Sequence, residues 1–263
     1  MELMKYFVVD AFAEELFKGN QAGICVLDKQ IDDNLMQNIA SENNLAETAF
    51  VVKTENGYDL RWFTPDVEID LCGHATLASA YVLMNYFEKN TNIISFYTKS
   101  GVLTVTKKND LFEMDFPSRI PKKIETNMIV QCSINAPIIE TYMSRDMLIL
   151  LETEEQIRKL EVDIEKIKKV TECFAFIITA AASNSEYDFV SRFFAPNAGI
   201  NEDPVTGSSH STLIPFWAER LNKNKLIAKQ LSKRGGTLYC ENNGNRVKIS
   251  GKAKLYLEGE IKI

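Results

Sequence analysis

Histidine is scarce in this 263-residue chain: His74 and His210 are its only two. A metal site built from several imidazoles is thereby nearly excluded. Cysteine is present but badly placed for scaffolding. Cys25, Cys72, Cys132, Cys173 and Cys240 are odd in number and lack close spacing, so neither a disulfide framework nor a zinc site is expected. No apolar stretch reaches the roughly 18 residues that span a bilayer. The first apolar run, MELMKYFVVDAF, carries charge and reads as a strand, not as a signal segment. There is no G-x-S-x-G elbow, which leaves a Ser-His-Asp hydrolase without support. No P-loop and no G-x-G-x-x-G follows a strand, so nucleotide and nicotinamide cofactors lack support too. A formal charge of −6 and a pI near 5.2 argue against nucleic acid or an anionic membrane as the main partner. They do not exclude a small anion, which feels local charge. The expectation is a cytoplasmic protein without metal, nucleic acid or membrane.

The composition that is present, 45% hydrophobic and 25% charged with no low-complexity tract, is globular. The length allows one large domain or two ordinary ones. The most informative stretch is RWFTPDVEIDLCGHAT at 61–76, which is echoed at 192–209 by RFFAPNAGINEDPVTGSS. Arg61 matches Arg192, Phe63 matches Phe194, Pro65 matches Pro196 and Ile69 matches Ile200. A slip of about three residues then brings Gly73 onto Gly207. The match suggests a duplicated unit with a site between the copies; the alternative is two similar strand ends by chance.

Local patterns predict strands at 4–12 and 23–27, then a helix opened by Asp32-Asp33 and closed near Asn43-Asn44. A strand at 48–52 follows, then an Asn56-Gly57 hairpin and a strand at 58–64. The segment 73–87 reads as a helix apolar nearly all round and therefore buried, with Asp70 as a possible cap. Strands are expected at 93–98, 101–107 and 111–115, with 116–127 as a linker. Strand-like segments at 128–133, 137–143 and 146–151 precede a helix at 153–169, where Thr153 and Gln156 have capping-box spacing. Further strands are expected at 173–180 and 187–194. A last helix should begin near Gly207 and run to about Leu221, kinked or divided by Pro215, before antiparallel strands.

Several residues carry chemistry of interest. Glu47 stands where a helix ends and an apolar strand begins. Position alone favours a solvated turn carboxylate; the sharper reading is a general acid/base tuned by burial. Gly73 and Gly207 each look like a helix start, and two such ends facing one another would hold a carboxylate. His74, at a helix N-terminus, should have a lowered pKa. Asp203 could orient or share a proton, and Ser208 could donate to a substrate oxygen, although both are also common caps. Cys72 reads as a buried small hydrophobe more than as a thiol acid/base. His210 has no partner in the repeat and reads as structural or exposed.

The segments VDAFAEELFKGNQAGICVL, SENNLAETAFV, RWFTPDVEIDLCGHATLASA, RFFAPNAGINEDPVTGSS and KRGG…NRVKISGKA together resemble the PhzF-like isomerase family of phenazine biosynthesis. The resemblance implies an α+β, diaminopimelate epimerase-like fold. Two pseudo-symmetric halves would each curl strands around a central helix, with the active site in the cleft between them. It implies a first half of 1–116 plus 253–263 and a second of 117–252. It implies proton transfer without a cofactor on a small carboxylate, the best-known reaction being isomerisation of trans-2,3-dihydro-3-hydroxyanthranilate, and a possible homodimer. By the same resemblance Glu47 would be the acid/base, and His74 and Asp203 would join it in catalysis. Gly73, Gly207, Ser208 and Asn20 would bind substrate. Related racemases use two cysteines; Cys72 matches the first and Thr206 stands at the second, so a two-thiol racemase is not expected. The remaining alternatives are an epimerase using Glu47 with another base, or a binding protein that keeps the cleft. The sequence departs from the family at Gln21, where a proline is usual, at Ala46, where a serine is usual, and at Pro215. Those departures leave pocket shape and substrate open.

Overall fold

A computed structural model describes residues 3–263. In chain order the described residues form β1 (Leu3–Ala11), β2 (Asn20–Leu27), α1 (Asp33–Asn43), β3 (Glu47–Thr54), β4 (Gly57–Phe63), β5 (Glu68–Ile69), α2 (Gly73–Val82), β6 (Ile93–Thr98), β7 (Gly101–Lys108) and β8 (Leu111–Pro117). There follow β9 (Lys122–Ile124), α3 (Met128–Gln131), β10 (Glu140–Met143), β11 (Met147–Leu150), α4 (Glu154–Arg158), α5 (Ile164–Ile167), β12 (Phe176–Ala181), β13 (Phe189–Ala195), β14 (Ile200–Asp203), α6 (His210–Leu221), β15 (Lys225–Gln230), β16 (Gly236–Asn243), β17 (Arg246–Gly251) and β18 (Ala253–Lys262). The chain divides into two compact units. One runs to Asp115 and takes in Ser250–Ile263; the other is Phe116–Ile249.

In the first unit β1 lies between β18 and β2, antiparallel to both. β2 runs parallel to β3, and β3 antiparallel to β4. β4 then pairs antiparallel with the short β5 and parallel with β6, which turns back into β7. The second unit repeats this pattern. β11 runs parallel to β12, β12 antiparallel to β13, β13 antiparallel to β14 and parallel to β15, and β15 turns back into β16. The duplication read from Arg61/Arg192 and Phe63/Phe194 thus extends to every pairing in the series.

The matched arginines also do the same work. Arg61 on β4 makes a two-pronged contact with Glu68 on β5, at 2.7 and 2.9 Å, and its guanidinium lies 5.2 Å from the Phe63 ring centre. Arg192 on β13 does so with Glu202 on β14, at 2.6 and 2.9 Å, and lies 5.2 Å from the Phe194 ring centre. A planar fork on a carboxylate fixes geometry as well as charge, so each pair pins the hairpin that leads to the following helix.

Each unit is organised on its helix. α2 packs on β1, β2, β3, β7 and β18, and from His74 to Val82 only Tyr81 is not buried. Its small residues allow that approach, and its all-round apolar pattern requires it. A π-helical turn, Leu83–Phe87, extends α2 to the expected length. α6 packs on β15 and β16. A second apolar core of the first unit lies under α1, around Met36, Phe50 and Phe63. That of the second gathers Ile149, Ile157, Phe176, Ile178 and Phe194.

Five local expectations are corrected. Asp70 does not cap α2; Cys72 occupies the cap position, and its carbonyl accepts from the Thr76 hydroxyl at 2.5 Å. The run 128–133 is not a strand. Asn127 accepts from the Ile129 amide at 2.7 Å and turns the next four residues into α3, since a short apolar run has no periodicity to decide its form. The helix of 153–169 is two helices. Thr153 and Gln156 do form a capping box, but Asn135 takes the Glu161 amide at 2.9 Å and Asp163 caps a fresh start. Gly207 does not open α6; residues 207–209 form a turn and the helix begins at His210. Pro215 does not divide α6. The helix runs through it to Leu221, and the Ser211 carbonyl, which a residue 215 amide would normally meet, accepts the Arg119 amide at 2.8 Å.

Candidate active site

Glu47 opens β3 and pairs with Ala22 across the parallel β2–β3 ladder. It is not a solvated turn residue: it is 7% exposed. β3 carries Glu47 beside the start of α2, where Cys72 and His74 project. His74 Nε2 is 2.9 Å from Glu47 Oε2. The pair is close without meeting hydrogen-bond geometry, and Oε2 has no hydrogen-bond partner among the described residues. Cys72 Sγ lies 3.5 Å from His74 Nδ1 and 4.0 Å from Nε2. Asn20 is buried at the first position of β2, and its Nδ2 lies 3.3 Å from His74 Nδ1. The Asn20 amide and the Cys72 sulfur thus stand beside Nδ1, while Nε2 faces Glu47. Gly19 makes the placement possible. Its φ is +69°, and a Cβ there would stand 2.1 Å from the Ala11 carbonyl oxygen.

The electrostatics correct one expectation. Burial pushes His74 down, but the facing Cys72 and Glu47 outweigh it and hold the imidazole well above its ordinary range. The helix N-terminus argued for the opposite sign. It loses because a carboxylate at contact distance in a buried setting exceeds the partial charge of a helix end. Burial first, and the charge of Glu47 second, push the Cys72 thiol up, against the pull of His74. Cys72 is therefore a thiol near neutral pH and not a nucleophilic thiolate.

A carboxylate oxygen, an imidazole nitrogen and a sulfur lie within 4.8 Å of one another here. Such a donor set can ligate a small divalent ion. Its plainer chemistry is proton transfer, with an acceptor oxygen left open beside a cationic ring.

The second unit places its predicted residues differently. Thr206 donates its hydroxyl to Asp203 Oδ2. Gln230, fully buried at the end of β15, closes the turn: its Oε1 accepts the Thr206 amide at 2.9 Å and its Nε2 donates to the Asp203 carbonyl at 2.7 Å. The turn bonds of 207–209 use the carbonyls of Gly207, Ser208 and Ser209. Ser208 is half-buried, and Arg145 Nη2 donates to its hydroxyl at 3.3 Å. His210 is fully buried, so the structural reading holds and exposure does not. Its Nδ1 lies 2.9 Å from the Thr206 carbonyl and its Nε2 has no partner among the described residues. Burial lowers its pKa to about 4, against the pull of the Thr206 carbonyl.

The structure brings Glu47, His74, Cys72 and Asn20 together, and separately Asp203 and Thr206. Sequence reasoning missed Gln230 and Arg145; neither stands in a motif, and only their contacts reveal them. The pairing registers also show what the second unit lacks. Thr48 pairs with Phe63, and Phe176 with Phe194. The residue matching Glu47 is therefore Ala175, and with Gly73 on Gly207 the residue matching His74 is Ser208.

Doubled pairing around two helices is the fold of epimerases and racemases. A hydroxyproline epimerase structure from Agrobacterium vitis superposes with a TM-score of 0.61 over 98% of this chain and 92% of that one, at 9% identity, which is likeness of fold alone. The family is narrower. A family model described as phenazine biosynthesis-like protein matches residues 9–259, and the chain belongs to that family. A PhzF family structure from Enterococcus faecalis matches with a TM-score of 0.97 at 47% identity over 100% of both chains. A phenazine biosynthesis PhzC/PhzF protein structure from Clostridium difficile matches at 0.94 and 51% identity over 99% of this chain and 100% of that one. A Pseudomonas aeruginosa protein named an uncharacterized isomerase is 46% identical over 97% of each chain. The resemblance read from the sequence and the fold it implied are thus borne out.

Proposed function

We propose that this protein is an isomerase that moves a proton between carbons of a small carboxylate without a cofactor, a reaction of the trans-2,3-dihydro-3-hydroxyanthranilate isomerase type. The observation that carries the reading is the buried Glu47 oxygen with no hydrogen-bond partner among the described residues, 2.9 Å from the His74 ring. Glu47 takes a proton from one carbon, becomes the neutral acid, and returns a proton to another. His74 stabilises the carboxylate form before and after. Asn20 holds the ring, and Cys72 fills the wall beside it as a thiol. The Gly73 amide, beside His74 at the head of α2, offers the substrate carboxylate a donor. An epimerase would need a second base. Thr206, at the position of the racemases' second thiol, has its hydroxyl engaged by Asp203.

The test is incubation in deuterium oxide with a panel of small unsaturated carboxylates. The expected result is carbon-bound deuterium with a displaced double bond, abolished in Glu47→Gln. Inverted stereochemistry without a moved double bond, or full exchange in the variant, would sink the reading.

A further inference from the structure

The position that matches His74 is Ser208, and the side chain that meets it is Arg145. The Arg145 guanidinium is fixed on three sides. Its Nε and Nη2 donate to the fully buried Asp146 at 2.9 and 2.7 Å. Nη2 also reaches Ser208 Oγ at 3.3 Å, and the plane lies 4.8 Å from the centre of the exposed Phe174 ring. A second guanidinium stands within its field. Burial and the charge of Arg145 lower the pKa of Arg119, and Asp146 opposes them. Arg119 Nη1 is buried and has no hydrogen-bond partner among the described residues. A buried guanidinium nitrogen left so is strongly unfavourable unless an acceptor arrives. The group holds two cations against one carboxylate, a local excess of positive charge in an acidic protein. Pro215 contributes to it. Proline has no amide to give the Ser211 carbonyl, and that carbonyl takes the Arg119 amide at 2.8 Å, fixing the backbone from which the second guanidinium extends.

We propose that Arg119, Arg145 and Ser208 form an oxyanion-binding site in the second unit, one that receives a carboxylate or phosphate group. Planar guanidinium forks are matched to both groups.

The test is calorimetric titration of the whole protein with inorganic phosphate and, separately, with succinate, at constant ionic strength set with sodium chloride. Saturable binding of either anion at one per chain is expected, and the stronger of the two tells which group the site takes. Arg119→Met should weaken it at least tenfold. Arg119→Lys should recover part of the loss, and Pro215→Ala, which restores the helix bond, should weaken it less than Arg119→Met. Should Arg119→Met not fold, Arg119→Lys and Ser208→Ala read the same quantity, each expected below wild type. Absence of saturable binding in wild type, or equal affinity in the Arg119 and Ser208 variants, overturns the site. An active Glu47→Gln overturns the isomerase reading and leaves the site standing.

Discussion

Two buried histidines stand near the starts of two matched helices and are pushed in opposite directions. His74 faces a carboxylate and a thiol, and its pKa is raised. His210 sets Nδ1 against a backbone carbonyl, its own Nε2 has no partner among the described residues, and its pKa falls to about 4. Burial lowers both; what differs is the neighbour. One unit has kept an acidic residue at the head of the strand beside its helix, Glu47. The other has Ala175 there and has turned the polar work over to Asp203, Thr206 and Gln230. Duplication supplied the frame, and chemistry arose where the frame was filled unequally.

The contrast is most severely tested at Glu47. Glu47→Gln should lower the rate of the proposed isomerisation by about 10²–10⁴-fold, the usual contribution of a positioned acid/base. In the same variant the His74 pKa, followed by the ring proton shifts, should drop. A raised His74 contributes stability below 6.5 that is lost as pH climbs through its folded pKa, so the variant should lose that alkaline slope. An unchanged His74 titration would remove Glu47 as the cause of the shift.

His210 should show the reverse slope. Unfolded, it takes a proton at its ordinary 6.5; folded, only near 4. Below 6.5 the unfolded chain binds more protons, and stability falls until about pH 4. The difference is about 3 kcal/mol for a group so deeply buried. Urea denaturation from pH 7 to 4, wild type against His210→Gln, should show the variant losing that much less.

Gln230→Ala takes away the acceptor of the Thr206 amide. The expected loss is about 1–3 kcal/mol by chemical denaturation, with weaker ligand binding in the second unit. Stability equal to wild type would mean that the turn holds itself.

The smallest effect separates the twin arginines. Arg61→Met should cost about 1 kcal/mol or less, as for half-exposed ion pairs. Arg192→Met should cost about 1 kcal/mol more, because Arg192 Nη1 donates to the carbonyl of buried Leu160 at 2.7 Å, whereas Arg61 Nη1 donates to the exposed Asp33 at 2.6 Å. Equal losses would show that the buried carbonyl is worth no more than the exposed carboxylate.

Much of this was legible beforehand, for identifiable reasons. Arg61, Phe63 and their matches could be read because an ion pair and a ring constrain residue type at both ends. Thr153 and Gln156 could be read because a capping box is local. Glu47, His74, Asn20 and Asp203 were named by family resemblance, and the structure brings the first three together. Other features were hidden because they are made by distant partners. Gln230 meets Thr206 across 24 residues. Arg145 meets Ser208 across 63. The sign of the His74 shift depends on Glu47, which is 27 positions away and adjacent only through the β2–β3 ladder and the seat of α2. The break between α4 and α5 is likewise imposed by Asn135 and not by the helical pattern itself.

The thiols give this protein a built-in clock. Cys132 is exposed and Cys173 partly so, while Cys25, Cys72 and Cys240 are buried. A maleimide added to the native protein will mark Cys132 at once and Cys173 more slowly. Cys72 can react only when the head of α2 lifts from β3, so the lag before its modification times the breathing of the first unit. A ligand that settles against Glu47 and His74 should lengthen that lag, which makes thiol labelling a substrate screen that needs no knowledge of the product.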